Sequence, residues 1–202
     1  MKVAVVDYQA GNLKSVMKGL AAANAQPFLT ADPARIAGAD GVVIPGVGLF
    51  GATTAIGGAM REAIHAAVDR GTPLLGICLG LQFLFDGSEE APDVPGLGLL
   101  PGRCARLQGD IKVPHVGWNT LETTTASDLL DGVADGTQVY FTHSYAAPVT
   151  DACVRITTYG GTFASVVERG TVYGVQFHPE KSADYGIDIL RSFVALCLSP
   201  NV

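Results

Sequence analysis

The feature that most constrains the fold is a short apolar run that passes through a small-residue turn into a second apolar run. Residues 74–77 follow a proline and have the length of a buried strand, whereas residues 79–85 have helical spacing. The turn between them reads Gly-Ile-Cys-Leu-Gly, the nucleophile-elbow pattern with Cys78 at its centre. Its glycines permit a strained strand-to-helix turn, and free N–H groups at the helix start favour a thiolate. The pattern therefore predicts a nucleophilic Cys78, with an ordinary buried cysteine as the open alternative.

The composition indicates one well-buried globular domain, predicted to span residues 1–202. Of the 202 residues, 48% are hydrophobic and only 16% are charged, which excludes a disordered chain. The net charge of −6 and the lack of a basic cluster disfavour binding to nucleic acid or to an anionic membrane. No run approaches the roughly 20 apolar residues of a membrane helix, and the N-terminal apolar stretch is too short for a signal peptide. We therefore expect a cytoplasmic protein.

The four cysteines give no sign of a metal centre or a disulfide framework. They lie at positions 78, 104, 153 and 197, and no Cys-x-x-Cys pair occurs among them. The apolar content makes disulfide bonds unnecessary, so Cys104, Cys153 and Cys197 are predicted to be small buried side chains. We expect no metal and no cofactor.

Alternating strand and helix patterns over the first 85 residues predict parallel βαβ units, with helices covering both faces of the sheet. The predicted strands lie at 2–6, 28–29, 41–44 and 74–77, and the predicted helices at 11–24, from 33 onward, at 49–69 and at 79–85. In the second of these helices, Asp32 is placed to cap a first turn that starts at Pro33.

After residue 85 the pattern changes to a loop at 86–102 and then to short β-type segments. These segments lie at 138–142, 152–159, 164–168 and 171–177, and a final helix is predicted at 184–198. Glycine-containing turns at 160–161 and 169–170 indicate antiparallel hairpins. The predicted fold class is therefore α/β: a single domain with a central mixed, mostly parallel sheet flanked by helices, and an added antiparallel β portion.

A partner for a nucleophilic sulfur is predicted from residues 178–180, which read His-Pro-Glu at the end of the predicted strand 171–177. Pro179 restricts the backbone, so the side chains of His178 and Glu180 are fixed relative to each other. A carboxylate on one ring nitrogen leaves the other nitrogen free to exchange a proton with sulfur. We therefore predict Cys78 as nucleophile, His178 as base and Glu180 as the residue that orients the base.

The other three histidines are weaker candidates for the base. His65 lies mid-helix beside Glu62, His115 follows a proline without a nearby acid, and His143 ends a strand without an acidic neighbour. A zinc deaminase signature also contains His-x-Glu, but the Cys-x-x-Cys that it requires is missing here.

A glycine-rich turn follows the predicted strand 41–44. Gly46, Gly48 and Gly51 match the dinucleotide fingerprint, but no acid ends the following strand, so nucleotide binding is not predicted. The N–H groups of this turn are instead placed to face the neighbouring strand end. Together with the Leu79 N–H they can hold an oxyanion, a contribution of roughly 2.7–4 kcal/mol per donor.

These residues have counterparts in a known family. Gly-Ile-Cys-Leu-Gly-Leu-Gln at 76–82, followed by Phe-His-Pro-Glu at 177–180, resembles the class I (triad) glutamine amidotransferases. The resemblance narrows to the glutaminase-subunit family of imidazole glycerol phosphate synthase, and it covers essentially the whole chain through blocks at 7–13, 45–48, 87–90, 96–102, 113–119 and 178–182. The chain departs from that pattern at Gln9, where glycine is common, and at Val116, where methionine is common. Neither departure touches the predicted triad.

The resemblance implies that the Cys78 thiolate attacks the side-chain amide of glutamine, while the N–H groups of Val47 and Leu79 hold the oxyanion. His178 would then protonate the departing ammonia and activate water against the thioester. The implied glutamine-binding residues are Gly46, Gly48, Gln82, Ser144 and Tyr145. A solvated position on the helix surface is the alternative for Gln82.

The resemblance also implies a heterodimer with a (β/α)₈-barrel cyclase subunit. That subunit would take the ammonia through its barrel to make imidazole glycerol phosphate and aminoimidazole-carboxamide ribotide (AICAR) in histidine biosynthesis. Ammonia released into water would become ammonium, which is not a nucleophile, so a sealed exit is required. The implied interface residues are Asn12, Trp118, Tyr140 and Lys181, with an aromatic core as the alternative for Trp118 and Tyr140.

Three other functions remain open from the sequence. Another triad amidotransferase, such as the glutaminase of pyridoxal phosphate synthesis, would share Cys78, His178 and Glu180 but not the block at 113–119. A cysteine peptidase or γ-glutamyl hydrolase would need an open cleft for a longer substrate. A flavodoxin-like binding module would carry an inert Cys78.

Overall fold

The computed structural model of the chain describes residues 1–9 and 12–199. The strands are β1 (Lys2–Val6), β2 (Gln26–Thr30), β3 (Gly41–Ile44), β4 (Leu74–Ile77), β5 (Gly87–Ser88), β6 (Arg103–Arg106), β7 (His115–Thr120), β8 (Glu122–Thr123), β9 (Gln138–His143), β10 (Tyr145–Ala146), β11 (Cys153–Tyr159), β12 (Gly161–Arg169) and β13 (Val172–Val175). The α-helices are α1 (Leu13–Ala22), α2 (Pro33–Ile36), α3 (Gly58–Asp69), α4 (Leu79–Leu84) and α5 (Ala183–Leu196). Two short 3₁₀ helices span Phe50–Ala55 and Pro179–Lys181.

An eight-stranded sheet in the order β2-β1-β3-β4-β13-β12-β11-β8 forms the centre of the molecule. The first five strands in this order are parallel, and β12, β11 and β8 are added in antiparallel fashion. Two smaller sheets, β10-β6-β5 and the antiparallel pair β7-β9, complete the structure. The predicted α/β class, with a mostly parallel sheet and an antiparallel addition, is confirmed.

Side-chain alternation along the central strands divides the core into two layers. On β1, Val3 and Val5 belong to one apolar cluster and Ala4 and Val6 to the other, because successive residues of a strand face opposite sides. The first cluster includes the buried faces of α1 and α5, and the second includes those of α2 and α3. Helices therefore cover both faces of the sheet, as the alternating strand and helix patterns of the first 85 residues predicted.

The predicted long helix at 49–69 is wrong over residues 49–57. The chain forms a 3₁₀ helix at Phe50–Ala55, and α3 begins only at Gly58. The hydroxyls of Thr53 and Thr54 donate to the carbonyls of Phe50 and Gly51, and such local bonds favour a tight turn. Gly57 then adopts an extended conformation as the N-cap of α3, because glycine is a poor interior helix residue.

Further predictions about the strands need correction, and the predicted start of the first helix lies outside the described residues. The strand predicted at 171–177 ends at Val175, because its parallel neighbour β4 turns into the elbow after Ile77. The predicted loop at 86–102 contains the short strand β5, and the strands β6, β7, β8 and β10 were not predicted. In β7, Gly117 and the polar residues around it obscure the alternation of a strand. Helix α1 begins at Leu13, and the predicted helix start at Gly11 is outside the described residues.

Within residues 1–9 and 12–199, the structure contains no helix with both the length and the apolar character needed to cross a membrane.

Candidate active site

Cys78 lies in a strained turn between β4 and α4. Its φ of 53° and ψ of −105° place a non-glycine residue at positive φ, a conformation that costs on the order of 1–3 kcal/mol. The turn closes tightly, since a Cβ on Gly80 would stand 1.8 Å from the carbonyl oxygen of Ile44. Sheet and helix therefore hold the sulfur at the carboxyl end of the parallel strands, where ligands bind in open α/β sheets.

The Cys78 side chain is only 5% exposed, and polar groups from two other elements approach its sulfur. Nε2 of Gln176 donates to Sγ at 3.6 Å, and the Thr142 carbonyl oxygen lies 3.8 Å from Sγ. Gln176 follows β13, and Thr142 belongs to β9. The nucleophile predicted from one pentapeptide is thus surrounded by segments that lie 64 and 98 residues further along the chain.

His178 and Glu180 form a buried pair beside this sulfur. His178 Nδ1 and Glu180 Oε1 are 2.9 Å apart, and each side chain is 1% exposed. Ser182 secures the segment, because its hydroxyl donates to the His178 carbonyl at 2.7 Å and accepts from the Tyr140 N–H at 3.0 Å. Since the carboxylate of Glu180 engages Nδ1, Nε2 is the ring nitrogen that remains free to exchange a proton.

The pKa of His178 reports its closeness to Cys78. Burial lowers this pKa, but the interactions of the ring with the Cys78 sulfur and the Glu180 carboxylate outweigh burial and raise it to about 9. Within the described residues, Nε2 forms no hydrogen bond of regular geometry. With a pKa of about 9, the ring is expected to be an imidazolium at neutral pH.

The glycine turn at 46–48 packs against the start of α4. A Cβ on Gly46 would lie 2.6 Å from Leu79 Cβ and 2.6 Å from the Tyr8 hydroxyl, so this close approach requires glycine. The Tyr8 hydroxyl donates to the Pro45 carbonyl at 2.7 Å and anchors the turn. As the first residue of α4, Leu79 has an N–H without an intrahelical acceptor. This turn, which contains Gly46 and Gly48, thus lies beside the free N–H of Leu79, as expected of an oxyanion site.

The chain matches known families over almost its whole length. The family model for glutamine amidotransferase class-I matches residues 4–196. The chain belongs to the class I glutamine amidotransferases. The subunit HisH of imidazole glycerol phosphate synthase from Halobacterium salinarum is 48% identical over 204 residues, which cover 96% of this chain and 93% of the relative. The same subunit from Natronomonas pharaonis is 48% identical over 206 residues, which cover 98% of this chain and 95% of the relative.

The chain is therefore a glutamine amidotransferase enzyme, and these relatives place it in the HisH family. Solved structures agree on the fold. A structure titled PurLQS from Thermotoga maritima has a TM-score of 0.76 at 18% identity and covers 96% of this chain and 97% of that one. A structure titled glutamine amidotransferase has a TM-score of 0.76 at 17% identity, and the match covers 98% of this chain and 99% of that one. At such low identity these two structures support the fold alone.

Three of the predicted glutamine-binding residues, Gln82, Ser144 and Tyr145, adjoin groups that contact the sulfur. Gln82 is buried, and its Nε2 donates to the Tyr145 carbonyl at 2.7 Å and to Gln176 Oε1 at 3.2 Å. The alternative of a solvated helix position for Gln82 is therefore wrong. Ser144 and Tyr145 are half-buried and follow β9 directly, next to Thr142. Gly48 has a φ of +113°, which favours glycine, and it is exposed.

Three of the four predicted interface residues form one surface cluster on the amidotransferase. Trp118 and Tyr140 face each other across the β7-β9 pair with ring centroids 6.1 Å apart, and Lys181 Nζ lies 5.6 Å from the Tyr140 ring centre. Trp118 is 52% exposed, so the core alternative is wrong for this residue. Asn12 is the half-buried N-cap residue of α1 and belongs to no described contact of this cluster.

Sequence reasoning missed four residues that shape the site. Gln176 and Thr142 contact the sulfur, and Ser182 joins His178 to β9. Glu90 accepts the Phe50 N–H at 2.6 Å and thereby fixes the segment after the glycine turn. Glu90 and Ser182 lie in blocks that carry the family resemblance, but no spacing pattern gave any of the four a role, because tertiary packing brings them to the site. At Gln176, the sequence signal was a polar residue in an otherwise apolar strand pattern.

Proposed function

We propose that this chain hydrolyses L-glutamine to glutamate and ammonia and passes the ammonia to the cyclase subunit of imidazole glycerol phosphate synthase. The observation that carries the proposal is the buried His178–Glu180 pair beside a strained Cys78. The names of the relatives at 48% identity supply the reaction to which the ammonia would go. One domain spanning 1–202 would perform this half-reaction.

Acylation would begin with the Cys78 thiolate attacking the side-chain amide carbon of glutamine. The carbonyl oxygen would become an oxyanion held by the N–H groups of Leu79 and Val47, which act on charge that develops in the transition state. His178 would donate its Nε2 proton to the amide nitrogen, and ammonia would leave as the C–N bond breaks. A γ-glutamyl thioester and a neutral His178 would remain.

Deacylation would use the same groups in the opposite sense. Neutral His178 would take a proton from water through Nε2, and the resulting hydroxide would attack the thioester carbon. Expulsion of the Cys78 thiolate would then release glutamate and restore the imidazolium. Glu180 would hold the Nδ1 proton throughout, because its oxygen lies 2.9 Å from that nitrogen in a buried site.

Glutamine would be held by backbone and side-chain groups next to the sulfur. We assign Gly46 and Gly48 to one side of the pocket and Ser144 and Tyr145 to the other, with Gln82 below. Support comes from the Tyr145 carbonyl, which Gln82 fixes at 2.7 Å. Since both amide protons of Gln82 have acceptors inside the protein, Gln82 would act mainly by positioning its neighbours.

The partner would bind over the outer face of the β7-β9 pair. This face carries Trp118 and Tyr140, and the next outward position of β9, Thr142, reaches Cys78 through its carbonyl. A (β/α)₈-barrel cyclase docked there, with Asn12 and Lys181 at the rim, would close the site and receive ammonia before water protonates it. Its products would be imidazole glycerol phosphate and AICAR, and the cytoplasmic location stays a prediction.

The test replaces the nucleophile and supplies ammonia separately. In the complex with the cyclase subunit, Cys78→Ala should abolish glutamine-dependent synthesis and leave synthesis from added ammonium salts unchanged. Cys197→Ala, at the end of α5, is the matched control and should retain both activities. Loss of both activities in Cys78→Ala would show a structural residue, and retention of the glutamine-dependent activity would overturn the proposal.

A further inference from the structure

Two buried histidines outside the triad form a continuous hydrogen-bonded chain. His115 Nδ1 and His143 Nε2 are 3.1 Å apart, and His143 Nδ1 lies 2.9 Å from the Tyr145 carbonyl oxygen. At the other end, Asn119 Nδ2 lies 3.3 Å from His115 Nε2. The chain therefore runs from the exposed β7-β9 pair into the predicted glutamine pocket, and the reaction steps leave it without a role.

The proton positions in this chain follow from both of its ends. The Tyr145 carbonyl only accepts, so His143 must carry its proton on Nδ1. The Asn119 side chain accepts the Thr120 N–H at 2.8 Å through Oδ1, so its Nδ2 donates to Thr158 O at 3.3 Å and to His115. His115 then accepts on Nε2 and donates from Nδ1. Both ends of the hydrogen-bonded chain therefore give the same assignment, in which each ring is neutral and carries its proton on Nδ1.

An additional proton would break this chain. A second N–H on His143 would point at the Nδ1–H of His115, and a second N–H on His115 would point at the Asn119 amide protons. The surroundings also oppose a charge. Burial, with smaller contributions from His115 and His178, lowers the pKa of His143 to about 3, and burial lowers the pKa of His115 to about 4. Phe141 and Tyr159 stack on the two faces of the His115 ring.

The Tyr145 carbonyl connects the histidine chain to the sulfur. It accepts from His143 and from Gln82 Nε2, which also donates to Gln176 Oε1 at 3.2 Å. Gln176 in turn donates from Nε2 to the Cys78 Sγ at 3.6 Å. One polar network thus joins the pocket segment Ser144–Tyr145 to the side chain that touches the nucleophile.

We propose that His143, oriented by His115, is a positioning residue that fixes the Tyr145 carbonyl. Through this carbonyl it would also fix the glutamine pocket and the side-chain amides of Gln82 and Gln176. The inference rests on the proposed glutaminase function for its kinetic test, but its structural part stands independently. His143 touches neither the sulfur nor the substrate carbonyl, so it acts through Tyr145, Gln82 and Gln176.

The first experiment reads the ring protons directly. In the full chain labelled with ¹⁵N-histidine, two-bond ¹H–¹⁵N spectra should show His115 and His143 as neutral Nδ1–H tautomers from pH 5.5 to 8. His65, on helix α3 and outside this hydrogen-bonded chain, is the internal reference for the labelled signals. A His143 ring that carries its proton on Nε2, or that titrates within this range, would overturn the proposal without bearing on the glutaminase function.

The second experiment separates positioning from folding. In the complex, His143→Leu should raise KM for glutamine about tenfold or more while ammonia-dependent synthesis stays unchanged. His143→Asn places an amide N–H where Nδ1 lies, so it should recover most of the loss, and His65→Asn should behave like wild type. Equal losses in the Leu and Asn variants, or a loss of ammonia-dependent synthesis as well, would contradict the proposal. A wild-type complex without glutaminase activity would refute the proposed function instead.

Discussion

At the scale of single residues, the site depends on one strained cysteine and one charged histidine. The Gly-x-Cys-x-Gly pattern could be read as an elbow because only small neighbours permit the φ of 53° at Cys78. His-Pro-Glu could be read as a fixed pair for a similar local reason, and the ring and carboxylate do meet. Gln176 and Ser182 could not be predicted, because their roles arise from partners 98 and 42 residues distant in sequence.

The raised pKa of His178 predicts a pH-dependent stability. A base whose pKa rises from 6.5 to about 9 on folding stabilises the native state fully below pH 6.5 and loses that contribution as the pH rises through 9. The free energy of unfolding should therefore fall by up to about 3 kcal/mol over this range. Urea unfolding between pH 6 and pH 9.5 measures this change.

Glu180→Gln removes one of the groups that raise this pKa, so its stability should fall less steeply between pH 6.5 and pH 9. The matched control is Asp188→Asn, which breaks the exposed 2.7 Å ion pair with Arg191 and should keep the wild-type slope. Equal slopes in wild type and Glu180→Gln would contradict the assignment of the slope to His178.

At the scale of elements, the junction of β4 with α4 sets the site. The strand and helix on either side of the elbow were predicted within a residue, because their apolar periods differ and glycines separate them. The region at 49–57 was predicted less well, since threonine hydroxyls and Gly57 favour a tight turn that an apolar period does not reveal. Local hydrogen bonding outweighed hydrophobic spacing there.

Gly80 should be intolerant of any side chain, because an added Cβ would lie 1.8 Å from the Ile44 carbonyl oxygen. Gly80→Ala should therefore lower the free energy of unfolding by about 3 kcal/mol or more. Gly58→Ala, in the first turn of α3 with nothing within 4 Å of the new Cβ, should leave stability unchanged or raise it by up to about 1 kcal/mol. Urea unfolding compares the two, and similar values would contradict the packing argument.

At the scale of the whole molecule, the antiparallel addition brings distant segments over the parallel sheet. The β7-β9 pair, with Trp118 and Tyr140 on its outer face, supplies the Thr142 carbonyl to the sulfur. The sequence indicated antiparallel hairpins in this half of the chain, but it did not reveal β7 or the pairing of β7 with β9. Paired residues of the two strands lie 18 to 28 positions apart in the sequence, so their pairing depends on tertiary contacts that neither strand displays alone.

The exposed Trp118 should contribute strongly to binding of the cyclase subunit. Large aromatic anchors at the centre of an interface cost about 2 kcal/mol or more when truncated, which corresponds to a Kd about 30-fold weaker for Trp118→Ala. Leu29→Ala, on the edge strand β2, is the control and should bind like wild type. Calorimetric titration measures both, and an unchanged Kd for Trp118→Ala would place the interface elsewhere.

The most direct test of the central claim is to label the complex with a diazoketone analogue of glutamine and to locate the label by peptide mass mapping. Burial raises the pKa of Cys153 to about 11 and of Cys197 to about 12, and it raises the pKa of Cys104 further, so these thiols should stay inert. We predict one label per chain, on Cys78, prevented by glutamine and slowed at least tenfold in His178→Asn. A label on another cysteine, or an equal rate without His178, would contradict the account.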